Sequence, residues 1–249
     1  MGSYHYLSNI IMPKSKISKS LNISASLNEE YYSIKSPHRV LKYAEVLTSP
    51  REVNAMLDFV KQETERIDSR FLEPACGTGN FLIEILRRKL KIIENRYYQS
   101  QIEFERASFT AISSLYGIDL LQDNVEHCRA RLFNEFQTLY NKLFKSKINK
   151  YFLKSLKFVL DRNIICGDAL TLEKNGLIKG PIIFSEWSLV TGSTVQRRDF
   201  QFESLIKNQK MDVPNLFSDL GDEAFIPVPV KTYPLQNIYN LSEYVQLEL

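Results

Sequence analysis

The sequence predicts an α/β domain built on a parallel sheet, and three observations carry that expectation. Arg70 to Glu73 reads as a short strand that passes through a Gly77-x-Gly79 turn into a helix carried by Ile83, Ile85, Leu86 and Leu90. Leu115 to Asp119 repeats the strand, and Leu120 onward, with Val125, Cys128, Ala130, Leu132 and Phe133, repeats the helix. Two further strands follow, Arg162 to Leu170 and Gly180 to Phe184. Strand and helix in alternation imply βαβ crossovers and parallel pairing. At 249 residues, 44% hydrophobic and 24% charged, the chain supplies one such core with arms or insertions, and two full domains would be cramped.

In chain order, residues 1–40 are rich in Ser, Lys and Asn and read as a partly disordered arm, leaving 41–249 as the folded domain. Six basic residues between positions 14 and 42 would let the arm touch phosphate; the alternative is a solvated tail. Ser49 is placed to cap a helix that has Pro50 at its first position and Glu52 in its first turn. Val53, Met56, Leu57 and Val60 then give the apolar face of an amphipathic helix. The interval from Glu73 to Asp119 is more than twice the roughly 20 positions expected in a dinucleotide fold. The excess predicts an extended helical segment around 87–113.

Residues 142–157 carry Lys142, Lys145, Lys147, Lys150, Lys154 and Lys157 without an acid, alternating with Phe144, Ile148, Tyr151, Phe152 and Leu156. This suits a helix with solvated lysines over a buried face, or a phosphate-contacting surface. Residues 211–249 hold six acids against Lys231 alone. Gly192 to Phe200 reads as a polar, basic loop. Four prolines between 210 and 235 favour irregular structure with an edge-like strand at Val228 and Val230, and Leu235 to Leu249 reads as a closing helix.

Composition excludes several functional classes. A net charge of +3 does not by itself argue for nucleic acid. Cys76, Cys128 and Cys166 are far apart and form no CxxC, so no disulfide framework or zinc site is expected and a reduced cytoplasm suits the chain. His5, His38 and His127 lack metal-ligand spacing, so no metal is expected. No run of 18 apolar residues and no leader pattern occur, so no membrane association is expected.

The chemistry concentrates after the first strand. Glycines at 77 and 79 permit unusual backbone angles and let a ligand approach the main chain, beside the N–H groups of the following helix. Leu82 stands where a dinucleotide fingerprint needs its third glycine, and no Gly-Lys-Ser/Thr cradles a triphosphate. Instead an acid ends each of three strands: Glu73, Asp119 and Asp168. The carboxyl ends of adjacent strands line one crevice. Three carboxylates there suit an amino group, a ribose diol and an exocyclic amine.

The stretch Glu73-Pro74-Ala75-Cys76-Gly77-Thr78-Gly79-Asn80-Phe81-Leu82 closely resembles the cofactor loop of the N6-adenine-specific DNA methyltransferases, including the modification subunits of restriction systems. Glu45 to Pro50 resembles the motif preceding that loop, and Gly117-Ile118-Asp119 and Cys166-Gly167-Asp168-Ala169-Leu170 resemble the two that follow. The resemblance implies a class I, Rossmann-like methyltransferase sheet with helices on both faces, S-adenosylmethionine as cofactor and DNA adenine as target. It implies that Thr48 and Pro50 border the methionine part and that Glu73, Ala75, Gly77 and Gly79 surround the methionine and sulfonium. Asp119 would accept from the ribose hydroxyls beside Leu120, and Asp168 from the adenine amine beside Ala169. Phe81 would shape the pocket or anchor the helix.

In that family the fourth strand ends in an Asn/Asp-Pro-Pro-Tyr/Phe tetrapeptide, whose oxygens hold the target amine and whose ring stacks on the flipped base. Here the corresponding place reads Ser185-Glu186-Trp187-Ser188. Ser185, Glu186 and Trp187 are the candidate catalytic residues, Glu186 as the acceptor for the amine and Trp187 as the stacking face. The alternative makes Trp187 a core aromatic and Glu186 a surface acid. The residues after Ser188 are too few for a sizeable target-recognition domain, so sequence-specific reading is expected to need a specificity or partner subunit.

Overall fold

The computed structural model describes residues 37–43, 48–176, 179–206 and 227–243. Helix α1 (Pro37–Tyr43) runs across the expected arm boundary at residue 40, while the arm up to residue 36 lies outside the described residues. Helix α2 (Pro50–Asp58) begins as its sequence predicts. The Ser49 side chain accepts from the Glu52 amide and Glu52 reaches back to the Ser49 amide, a reciprocal cap. Val53 and Leu57 are buried, and the helix stops before Val60, which leads into α3 (Lys61–Thr64).

Strands β1 (Phe71–Glu73), β2 (Leu115–Asp119) and β3 (Ile164–Asp168) pair in parallel in that order, with Leu72 opposite Tyr116 and Ile118 opposite Ile165. Each crossover is a pair of helices. Helix α4 (Asn80–Tyr97) runs past the amino edge of the sheet, and α5 (Gln101–Ser113), capped by Ser100, returns to feed β2. Helix α6 (Gln122–Phe144) likewise overshoots, and α7 (Lys150–Asn163), capped by Asn149, returns to feed β3. Asn163 Nδ2 donates to Ser113 O at 3.0 Å, joining the two returning ends.

The four helices form a bundle beyond the amino edge of the sheet, filled by Phe104, Phe136, Tyr140 and Phe152. The expected helical segment around 87–113 is thus two antiparallel helices. Inside the bundle, the buried Glu105 carboxylate accepts from the hydroxyls of Tyr140 and Tyr239, tying the returning C-terminal segment to α5.

Lys89 is buried on α4 and donates to Ile67 O (3.2 Å), Ser69 O and Ser114 Oγ (2.6 Å), fastening the helix to the amino ends of β1 and β2. Three acceptors favour the ammonium, but burial outweighs them and pulls the group from 10.5 down to about 7. An unfolded lysine keeps its proton up to about pH 10. Unfolding therefore takes up a proton between about pH 7 and that value, so stability rises with pH across this window and is flat below it. Denaturant titrations are expected to show a slope of at most about 1.4 kcal/mol per pH unit, which Lys89→Met removes.

Three expectations need correction. The strand after Gly180 does not end at residues 185–188. After β4 (Glu173–Lys174), antiparallel to β3, strand β5 (Ile183–Thr191) runs through those residues and pairs antiparallel with β6 (Thr194–Gln201) in a second sheet. The region read as a loop from Gly192 is that hairpin. Gly192, at φ 57°, takes the first central position of a two-residue turn, where a glycine matches the twist of the strands. A local hairpin also closes at less entropic cost than a crossover back to β1. Among the described residues β1 pairs only with β2.

The second correction concerns the sheet's faces. Phe71, Leu115 and Ile164 pack on the long helices, whereas Tyr116, Ile118 and Ile165 pack on Ile182, Phe184 and Phe202. Phe202 belongs to α8 (Phe202–Ile206), so among the described residues the only helix on the second face is this five-residue one. The third concerns the C-terminal part. Val228 and Val230 are exposed and precede β7 (Lys231–Thr232), while the expected closing helix begins as β8 (Gln236–Asn237); both strands pair with β6. Residues 207–226 and 244–249 lie outside the described residues.

Candidate functional site

Glu73, Asp119 and Asp168 are the last residues of β1, β2 and β3, so the three carboxylates stand side by side at the carboxyl edge of the parallel sheet. The glycine turn closes over this edge. Cys76 N donates to Ile118 O at 2.8 Å, extending the β1–β2 pairing by one bond, and Gly79 N donates to Cys76 O at 2.8 Å. Gly77 and Gly79 have φ of 52° and 88°, which side-chain-bearing residues rarely adopt. A Cβ on Gly79 would lie 2.5 Å from Cys128 Sγ, so glycine is required there on two counts.

Asp119 organises the turn. One carboxylate oxygen accepts from Gly77 N at 2.9 Å; the other accepts from Leu121 N at 2.9 Å and Asn124 Nδ2 at 3.0 Å. A carboxylate offers about four acceptor sites, so capacity remains for a ligand hydroxyl. Asp168 accepts from Leu170 N at 2.8 Å beside the exposed Leu120 and Leu170 side chains. Glu73 accepts from Ala75 N at 3.3 Å. Burial pushes its carboxyl above the ordinary range, with the Ala75 amide opposing, as expected of an acid with no cation beside it among the described residues.

Thr48 O accepts from Asn80 Nδ2 at 2.8 Å, and Arg131 donates to Asn80 Oδ1 (2.8 Å), Thr78 O (2.7 Å) and Thr78 Oγ1 (3.1 Å). One guanidinium thus fastens the turn, and through Asn80 the segment before Pro50, to helix α6. Phe81 packs against the main core and anchors α4. Ala169 packs on the smaller core cluster, and Ala75 is exposed at the turn. Beneath the turn, a hydrogen bond with Cys128, then burial, pushes the Cys76 thiol well above its ordinary range, which leaves it a weak nucleophile.

Asn124 and Arg131 escaped the sequence reading, and Cys128 entered it as part of the helix's apolar face. Their i, i+4, i+7 spacing places them on one face of α6, and a polar interruption of an otherwise apolar face was the available signal. Arg39 on α1 also reaches this region, donating to Asp123 at 2.7 Å and Asn124 at 3.3 Å.

Ser185, Glu186 and Trp187 are not brought to this edge. Ser185 Oγ donates to Asp199 Oδ1 (2.7 Å), which also accepts from Arg197 Nε (2.9 Å). Glu186 is paired with Arg70, ahead of β1, and with Arg198 at 2.7 Å, its cross-strand neighbour. Trp187 is buried edge-on against Phe109 and Phe158. Trp187 and Ser188 line a cavity of about 300 Å³ with Ser69, Arg70 and Ser114, at the amino ends of β1 and β2. These are contacts on both faces of a buried hairpin strand, Ser185 and Trp187 on one and Glu186 on the other. Glu186→Ala would strand two guanidinium groups, and is expected to cost about 2 kcal/mol in thermal or denaturant unfolding while leaving ligand titrations unchanged.

Among the described residues, no group of three or more His, Cys, Asp or Glu is placed to hold a metal ion, and no helix is long and apolar enough to cross a membrane.

An acid closing each of three adjacent parallel strands around a glycine turn defines an α/β protein with a polar crevice at the carboxyl edge of its sheet. The chain belongs to the family of the MmeI DNA-methyltransferase domain, whose model matches residues 48–184, more than half of its length. No curated protein and no solved structure matches it. The family match includes the whole crevice and ends at Phe184, immediately before Ser185.

Proposed function

We propose that the chain is an S-adenosylmethionine-dependent DNA methyltransferase of a restriction-modification system, acting on adenine N6 in the cytoplasm on a class I, Rossmann-like core. The observation that carries this reading is the alignment of Glu73, Asp119 and Asp168 beside a turn that excludes a Cβ at Gly79. The residues fit the cofactor. Glu73 is a half-buried acid with no cation beside it among the described residues, and the sulfonium and ammonium are cations. Gly77 and Gly79 let the methionine part approach the backbone between Ala75 and the Thr48–Pro50 segment. Asp119 takes the ribose hydroxyls next to Leu120, and Asp168 takes the adenine amine next to Ala169. When bound, the cofactor supplies an electrophilic methyl group, and the protein contributes position and electrostatics. Sequence-specific reading of DNA rests on a specificity or partner subunit.

A second reading is favoured by the burial of Ser185, Glu186 and Trp187 in the hairpin: the chain binds the cofactor and does not transfer its methyl group alone. Incubation with labelled S-adenosylmethionine and duplex DNA separates the two. Label recovered in N6-methyladenine supports transfer. Cofactor binding with no label in DNA, with or without partner chains, leaves the second reading.

A further inference from the structure

We propose that the far end of the helical bundle is a second DNA-binding surface, engaging duplex backbone outside the target site. The residues are Lys145, Lys147, Lys150 and Lys154, flanked by Tyr98 and Tyr151. Gln101 Nε2 donates to Lys147 O at 2.7 Å and Asn149 N donates to Tyr140 OH at 3.2 Å, so the connection between α6 and α7 lies against that between α4 and α5. Both connections therefore share one end of the molecule. The four lysines are exposed and have no acidic partner among the described residues, whereas the nearby Lys142 is paired with Glu94 at 3.1 Å. Two acids near this end, Glu94 and Glu103, are occupied by Lys142 and Arg106.

The two tyrosines are 54% and 58% exposed, apolar surface that a helix connection gains nothing by presenting to water. Lys145 stands at φ 42° and ψ −104°, a backbone conformation that residues with a side chain rarely adopt. Lysines set among exposed rings suit a polyanion, the cations pairing with phosphate and the tyrosines lying along the sugar edges. The choice of duplex DNA over other polyanions rests on the DNA methyltransferase reading.

Distance separates this surface from the crevice. Helices α4 and α6, 18 and 23 residues long, run from the crevice edge to the bundle end, so that end lies about 27–35 Å from the crevice. That span corresponds to about eight to ten base pairs of duplex. Contacts at the bundle end therefore carry affinity without touching the methylated base.

The test is fluorescence anisotropy with a labelled duplex of about 30 base pairs, without cofactor, across a salt series. Substituting Lys145→Glu, Lys147→Glu, Lys150→Glu and Lys154→Glu together is expected to weaken binding at least about tenfold and to make the slope of log K against log salt shallower by about 2 to 4. The four Lys→Gln changes are expected to act in the same direction with smaller effect. Unaltered affinity and slope in folded variants would overturn the proposal. So would a wild-type protein that binds polyglutamate at this surface but no duplex, which would assign it to an acidic protein. Duplex binding that depends on these lysines in a protein that gives no heat with S-adenosylmethionine would leave this proposal standing and remove the one on which the choice of DNA rests.

Discussion

Asp119→Ala is expected to reduce S-adenosylmethionine affinity about a thousandfold. The carboxylate is the acceptor for the ribose hydroxyls in the proposed site, and it also holds Gly77 N, Leu121 N and Asn124 Nδ2. Hydrogen bonds to a charged group contribute about 1.5–3 kcal/mol each. Losing the ligand's share and slackening the turn together cost about 4 kcal/mol, and about 1.4 kcal/mol corresponds to each factor of ten. Asp119→Asn is expected to fall nearly as far, because it must turn an amide N–H toward one of three N–H donors. Calorimetric titration checks both, with circular dichroism showing that the variants fold. An affinity within threefold of wild type for Asp119→Ala would remove Asp119 from the site.

Gly79→Ala carries the largest expected effect on stability. A left-handed backbone costs a residue with a Cβ about 1–2 kcal/mol, and the added carbon would stand 2.5 Å from Cys128 Sγ. Relieving that clash moves either the turn or α6 and adds about 1–3 kcal/mol. The sum, about 3 kcal/mol, is a large share of the stability of a single domain. Combining Gly79→Ala with Cys128→Ala is expected to recover the steric part and leave the backbone part. The double-mutant cycle should therefore show a coupling of about 1–2 kcal/mol. Additive losses would mean that the turn and α6 do not meet as described.

The crevice was legible in the sequence because its signals are local. A strand, two glycines and a helix fall within 13 consecutive residues from Arg70 to Leu82, and the acids that follow each end a short apolar run. The hairpin was not legible, for a physical reason. Strand β6 buries Val195, Arg197 and Asp199 on its inner face, so its period-two pattern is one of charges that become buried only by pairing across the strands. The one local clue was Gly192-Ser193, a two-residue turn between Thr191 and Thr194. The bundle was half legible. Ser100 with Glu103 marks a helix start, and so does Asn149, but nothing in the apolar pattern tells whether a second helix continues the first or folds back on it.

The position of Ser185, Glu186 and Trp187 has the widest consequence. The family tetrapeptide works at the carboxyl edge, and here the corresponding residues lie in a hairpin whose Glu186 is paired with Arg70 ahead of β1. Strand β1 is three residues long, so its ends are about 10 Å apart. The side of the site that would hold the cofactor and the side that would hold the base therefore stand on different footing, the first on adjacent strand ends and the second on residues already engaged with one another.

The most direct measurement is calorimetric titration of the wild-type chain with S-adenosylmethionine, repeated with Asp119→Ala. The account predicts saturable one-to-one binding by the wild type and none by the variant at the same concentrations. No binding by a folded wild-type chain, or equal binding by both, would contradict it.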